Sequence, residues 1–234
     1  MSLIDTHLNR KWHPPEQELV VSDMEGTLST GVTWKALRDW LKLNGRSWEF
    51  YRFYIPRLPM GLMYNMGWIR DAQAFRERWI SGIYQLFGGL TLPEFELVAE
   101  WVVENELWPK RNQAVVAELE AHLESGRRVI LISGLAEPIL AKFAAKLGAE
   151  AIGTRQDKFD GRLTGKLILP FTTVHEKVNQ VRYLVPNGQI FGAYGDSAAD
   201  IFMLEIAQNP VAVNPENELE EKANGAGWRV ILEE

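Results

Sequence analysis

Short apolar runs that end in polar or turn residues recur along the chain and predict buried β-strands. The main runs are 18–23, 127–132, 189–194 and 210–213. Each is four to six residues long and is followed by a turn-forming or polar position, as expected for a strand that ends at the surface. A weaker run at 228–232 predicts an edge strand.

Stretches with helical periodicity separate these strands. Residues 111–125 carry apolar side chains at positions 115, 116, 119 and 123, and Gly126 ends the stretch. Residues 138–147 and 176–184 also predict helices. Strands that alternate with helices favour a parallel sheet covered on both faces. We therefore predict an α/β protein with a three-layer, Rossmann-like parallel-sheet core.

The segment 29–108 has a different pattern, with helical periodicity and no clear strand. It holds 16 aromatic residues. We predict that it forms a helical cap inserted after the first strand, so that the catalytic core comprises residues 1–28 and 109–234. A turn at 161–165 between apolar residues predicts a small β-hairpin in the core.

Composition narrows the possible functions. The chain has 234 residues, a net charge of −6 and no cysteine, which argues against nucleic-acid binding, disulfides and zinc–thiolate sites. No apolar stretch approaches the roughly 18 residues of a membrane span, and the polar N-terminal residues do not resemble a secretory signal. We expect a cytoplasmic protein without an integral membrane segment.

Candidate catalytic residues lie immediately after three predicted strands, at 23–27, 133–134 and 195–200. The carboxyl ends of parallel strands meet at one edge of a sheet, where ligands bind. Crowded carboxylates repel one another unless a cation lies among them, and oxygen ligands favour Mg²⁺. A carboxylate can also attack phosphorus, while Ser133 and main-chain N–H groups near Gly134 can bind phosphate oxygens.

The order of these segments resembles the haloacid dehalogenase-like hydrolase superfamily. The resemblance rests on DMEGT at 23–27, LISG at 131–134, Lys177, and GDSAAD at 195–200. The helical insertion, the hairpin before Lys177 and the tail beginning at Pro210 are similar to the phosphoserine-phosphatase-like branch.

The resemblance implies a Mg²⁺-dependent phosphatase that hydrolyses a phosphate monoester through an aspartyl-phosphate on Asp23. Asp23 and Asp196 would bind the metal together with the main-chain carbonyl of Glu25, and Asp200 would be a ligand or the partner of one. The phosphate-binding residues would be Ser133, Gly134 and Lys177. Lys166 is an alternative to Lys177, but it lies in the predicted hairpin.

Glu25 departs from the family pattern, which has an aspartate as general acid and base at this position. Glutamate keeps the carboxylate but moves it by one methylene group, and a displacement of about 1 Å can cost on the order of 10²-fold in rate. Two alternatives therefore stay open: a phosphotransferase to an alcohol acceptor, and a weakly active phosphate-binding module.

The aromatic insertion has two interpretations. Most of its rings could pack in the core of the cap, or some could line an apolar substrate pocket above Asp23. The segment 53–68 is apolar, is broken by proline and glycine, and contains Arg57. It would suit a small phosphorylated substrate with an apolar portion, such as a lipid phosphate at a membrane surface.

Overall fold

The computed structural model describes residues 18–68, 72–168, 174–184 and 189–232. The strands are β1 (Leu19–Ser22), β2 (Arg128–Ala136), β3 (Glu150–Thr154), β4 (Gln156–Phe159), β5 (Arg162–Leu167), β6 (Ile190–Gly195), β7 (Ala207–Val213) and β8 (Arg229–Ile231). The helices are α1 (Thr33–Leu43), α2 (Ser47–Tyr54), α3 (Leu58–Asn65), α4 (Ala72–Gln85), α5 (Leu92–Val102), α6 (Gln113–Glu124), α7 (Glu137–Leu147), α8 (Val174–Leu184), α9 (Ile201–Glu205) and α10 (Asn217–Ala226).

Six strands form one sheet in the order β3-β2-β1-β6-β7-β8, and every pairing in it is parallel. The predicted α/β class and parallel sheet are confirmed, and β8 is an edge strand as expected. The sequence pattern did not predict β3, α9 or α10. The second strand is longer than predicted, since β2 continues through Ser133 and Gly134 to Ala136.

Alternating side chains of the central strands fill two hydrophobic layers. Val20 and Leu131 face one side, where they pack in a cluster with side chains from α1, α5, α6 and α7. Val21 and Ile130 face the other side and pack with side chains from α8, α9 and α10. Burial on both faces explains why these strands are continuously apolar in sequence.

The insertion after β1 is helical throughout most of its described residues. It comprises α1 to α5 and a π-helical turn at Val103–Leu107. Phe50, Phe87 and Phe95 are buried in the same cluster as the sheet face, whereas Trp48 and Trp68 are exposed. Some aromatic rings of the insertion therefore pack in the hydrophobic cluster beneath the sheet, and others lie at the surface. The division into a separate core and cap stays a prediction.

The strands β4 and β5 form the predicted antiparallel hairpin. Its second strand contacts the insertion, since Leu163 N–H donates to Leu90 O at 2.7 Å and Gly89 N–H donates to Leu163 O at 2.8 Å. Among the described residues, no helix has the length and apolarity needed to cross a membrane.

Candidate active site

The end of β1 places Asp23 at the carboxyl edge of the sheet. Ser22 pairs with Leu131 on one side and with Tyr194 on the other, and Asp23 N–H donates to Tyr194 O at 3.0 Å. Ser133 and Asp196 each lie two residues beyond those pairing positions. The register of three adjacent strands thus brings the three predicted segments to one edge.

Three carboxylates converge at this edge. One oxygen from each of Asp23, Asp196 and Asp200 lies within 4.8 Å of the other two. Asp200 is completely buried, and its Oδ2 accepts hydrogen bonds from Ser197 N–H at 3.2 Å and Ser197 Oγ at 3.0 Å. These bonds fix Asp200 with its other oxygen, Oδ1, facing Lys177.

Lys177 lies between two of the carboxylates. Its Nζ donates to Asp23 Oδ1 and, at 2.8 Å, to Asp200 Oδ1. Burial alone would lower the pKa of Lys177, but Asp200 and Asp23 hold it above the usual range. The side chain is therefore a fixed positive charge. Lys166, the alternative in the hairpin, lines a different cleft between α4 and β5.

The turn after β1 brings the main chain close to the carboxylates. Gly26 has a φ of +91°, and a Cβ at this position would lie 1.9 Å from Asp196 Oδ2. Thr27 Oγ1 donates to Asp196 Oδ1 at 3.3 Å. Only glycine fits this approach, so the turn sets the position of Asp196 relative to the main chain of residues 25–27.

The side chain of Glu25 reaches the N-terminus of α1, where Thr33 N–H donates to its Oε1 at 3.0 Å. Burial raises the pKa of Glu25, and hydrogen bonding to Thr33 opposes this effect without cancelling it. A raised pKa increases the protonated fraction near neutral pH, as a general acid requires. Thr33 was not recognised in the sequence because its role depends on how α1 meets the turn.

Ser133 and Gly134 lie inside β2 rather than after it. Ser133 is buried, and Gly134 O accepts a hydrogen bond from Thr154 Oγ1 of β3 at 2.9 Å. Further along, Ala136 N–H donates to the hydroxyl of the buried Tyr84 at 3.2 Å. Tyr84, on α4, therefore links the insertion to this strand. No sequence pattern distinguished it from the other aromatic residues nearby.

The electrostatics of the carboxylates fit a divalent cation. Burial raises the pKa of Asp23 to about 7, with Lys177 opposing and Asp200 adding to the shift. Burial, Asp23 and Asp200 raise the pKa of Asp196 to about 8. One lysine does not neutralise three carboxylates, and their oxygen donors suit a hard ion such as Mg²⁺.

The chain is similar in sequence to known hydrolases and phosphatases. The sequence profile described as haloacid dehalogenase-like hydrolase matches residues 20–205. A histidinol-phosphatase of Neisseria meningitidis is 26% identical over 235 residues, covering 92% of this chain and 98% of that protein. A phosphoserine phosphatase of Mycobacterium tuberculosis is 29% identical over 140 residues, covering 58% of this chain. The chain spans 44% of the length of that mycobacterial relative.

A solved structure has the same fold over almost its whole length. It is a protein of unknown function from Bordetella pertussis, with a TM-score of 0.73 and 25% sequence identity. The match covers 92% of this chain and 98% of the Bordetella chain.

Proposed function

The chain belongs to the haloacid dehalogenase-like hydrolase family, and we propose that it is a Mg²⁺-dependent phosphatase acting on a phosphate monoester through a phosphorylated Asp23. The observation that carries the proposal is the buried group of Asp23, Asp196 and Asp200 with Lys177 at the carboxyl edge of a parallel sheet. Ligands of open α/β sheets bind at this edge.

The proposed metal ligands are Asp23, Asp196 and the main-chain carbonyl of Glu25. Asp200 would be a further ligand or would hold Lys177 in place, as it does in the structure. Bound Mg²⁺ would neutralise charge on the phosphoryl oxygens. Lys177 would also bind a phosphoryl oxygen, together with Ser133 and the main-chain N–H groups near Gly134.

In the proposed first step, a carboxylate oxygen of Asp23 attacks phosphorus. A bond forms between this oxygen and phosphorus, and the bond from phosphorus to the leaving alcohol breaks. Glu25 donates its proton to the leaving oxygen, so that a neutral alcohol departs. The raised pKa of Glu25 supports this role because the proton is then available near neutral pH.

In the second step, the carboxylate of Glu25 takes a proton from water while the water oxygen attacks the phosphorus of the aspartyl-phosphate. The bond to Asp23 breaks, which releases inorganic phosphate and restores the Asp23 carboxylate. Glu25 is protonated again and ready for the next cycle. An alcohol in place of water would give the phosphotransferase alternative.

The direct test is hydrolysis of an aryl phosphate by wild type and Asp23→Asn, each with Mg²⁺ and with EDTA. We expect Mg²⁺-dependent turnover in wild type and a loss on the order of 10³-fold or more in the variant. Asp39→Asn is the matched control, because Asp39 is partly exposed and pairs with Arg38 on the surface. Equal turnover in wild type and Asp23→Asn would overturn the proposal.

The substrate class requires a panel. Histidinol phosphate and phosphoserine belong in it, because the relatives named above are phosphatases of these two kinds. Phosphates with an acyl chain test the apolar portion predicted for the substrate. Product formation that depends on an added alcohol would instead favour the phosphotransferase. Binding of phosphate analogues without any turnover would favour a binding module.

A further inference from the structure

Exposed apolar side chains are concentrated in one part of the insertion. Seventeen large hydrophobic residues are exposed in the described chain, and nine of them fall within residues 48–68. These nine are Trp48, Tyr51, Ile55, Leu58, Met60, Leu62, Met63, Met66 and Trp68. We call them the apolar cap surface. Single exposed apolar residues are ordinary, but a cluster of this kind marks an interaction surface.

The helix α3 forms the centre of the apolar cap surface. Leu58, Met60, Leu62 and Met63 are between 42% and 61% exposed, and at 100° per residue they point in different directions around the helix axis. A helix that is apolar on several sides is normally buried. Packing within the described chain leaves these side chains of α3 exposed.

Positive charges predominate along this surface. Residues 48–68 contain Arg52 and Arg57 and one acidic residue, Glu49, which pairs with Arg46. The whole chain, by contrast, has a net charge of −6. Beside α3 is a cleft of about 660 Å³, whose lining includes Arg57 and Met60 from this segment and Arg78 and Lys166 from α4 and β5. Among the described residues, no carboxylate lines the cleft, and none of the proposed catalytic side chains does so.

We propose that the apolar cap surface binds an anionic lipid membrane. The apolar side chains of α3 and its neighbours enter the boundary between headgroups and acyl chains, where tryptophan and tyrosine are favoured. Arg52 contacts lipid phosphates at the surface, and the cleft lined by Arg57, Arg78 and Lys166 receives an anionic headgroup. This binding does not depend on the proposed catalytic function.

A membrane explains the surface better than a second copy of the chain. In a symmetric dimer the same patch faces itself, so Arg52 and Arg57 would meet arginines. The one acidic residue of the segment, Glu49, already pairs with Arg46. An anionic lipid surface supplies hydrocarbon and negative charge together. The negative net charge of the whole chain would then orient the protein with the insertion toward the membrane.

The test is flotation of the full chain with lipid vesicles, comparing pure phosphatidylcholine with phosphatidylcholine mixed with phosphatidylglycerol. We expect the partition coefficient to be about tenfold higher for the anionic vesicles, and Arg52→Gln to reduce that preference several-fold. Leu62→Glu should lower binding about tenfold or more. Leu97→Glu is the matched control, because Leu97 is also on a helix and is 67% exposed against 61% for Leu62.

Circular dichroism of each variant separates misfolding from lost binding. Absence of vesicle binding by wild type would overturn the proposal, as would equal losses in Leu62→Glu and Leu97→Glu. Sedimentation without vesicles tests whether a second copy of the chain binds this surface instead. If wild type is a dimer that Leu62→Glu converts to a monomer, the surface belongs to a second copy and the membrane proposal is wrong.

Discussion

At the scale of single residues, Glu25 lies where the resemblance leads us to expect an aspartate. Its carboxylate accepts a hydrogen bond from Thr33 N–H at the start of α1. The extra methylene group of glutamate therefore extends the carboxylate far enough to accept this hydrogen bond. An aspartate at position 25 would have to move toward Thr33 or lose this bond.

Substitutions at position 25 should therefore impair turnover. We expect Glu25→Gln, which cannot transfer a proton, to lower kcat on the order of 10²-fold or more. Glu25→Asp should lower kcat about tenfold or more, because the shorter carboxylate is misplaced. Steady-state kinetics with an aryl phosphate measures both. Faster turnover by Glu25→Asp would show instead that glutamate impairs catalysis in this site.

At the scale of elements, the turn after β1 connects the proposed nucleophile to the proposed metal ligands. Gly26 has a left-handed main-chain conformation and lies against Asp196. A side chain there would displace the Asp196 carboxylate, whereas the rest of the turn is held by its own hydrogen bonds, including Gly26 N–H to Ser29 O at 2.9 Å. The geometry of one turn therefore controls a proposed ligand 170 residues later in the chain.

Gly26→Ala should consequently weaken Mg²⁺ binding about tenfold or more, since binding requires Asp196 in place. Gly45→Ala is the control, because Gly45 also has positive φ, at +72°, but a Cβ added there would have no atom within 4 Å. Both variants share the main-chain strain of alanine at positive φ, roughly 1–2 kcal/mol. The rise of the melting temperature with Mg²⁺ concentration measures binding in both variants. Similar rises in Gly26→Ala and Gly45→Ala would contradict the prediction.

The elements that could be predicted from sequence are those with a strong apolar pattern. β1 and β6 were recognised because both of their faces are buried. β3 begins with Glu150, which pairs with Arg128 at 2.5 Å, so its apolar run is short. Helix α10 was missed because it is highly charged, and of its side chains only Leu219 and Ala223 are buried.

The candidate site shows the same limit. The order of motifs along the chain was sufficient to single out Asp23, Lys177 and Asp196, which the structure brings to one edge of the sheet. The contacts of Thr33 and Tyr84 arise where helices of the insertion approach the strands. Such contacts depend on three-dimensional packing, and no local spacing in the sequence encodes them.

At the scale of the whole molecule, the insertion is joined to the sheet by several kinds of contact. Its buried side chains share one hydrophobic cluster with β1 and β2. Trp108 contacts Phe143 of α7, with ring centroids 5.2 Å apart, and Tyr84 accepts the hydrogen bond from Ala136. Extensive shared burial favours unfolding of the insertion and the sheet as one unit.

We therefore predict that tryptophan fluorescence and far-ultraviolet circular dichroism will report the same denaturant midpoint. Seven of the nine tryptophans lie within residues 29–108, so fluorescence follows the insertion while circular dichroism follows all helices and strands.

Tyr84→Phe should lower the free energy of unfolding by about 1 kcal/mol, because Ala136 N–H loses its partner in a buried position. Both midpoints should therefore fall together. Tyr51→Phe, at an exposed tyrosine, should leave both unchanged. A fluorescence transition that precedes the other would mean that the insertion unfolds independently, in which case the contacts at Tyr84 and Trp108 are too weak to couple it to the sheet.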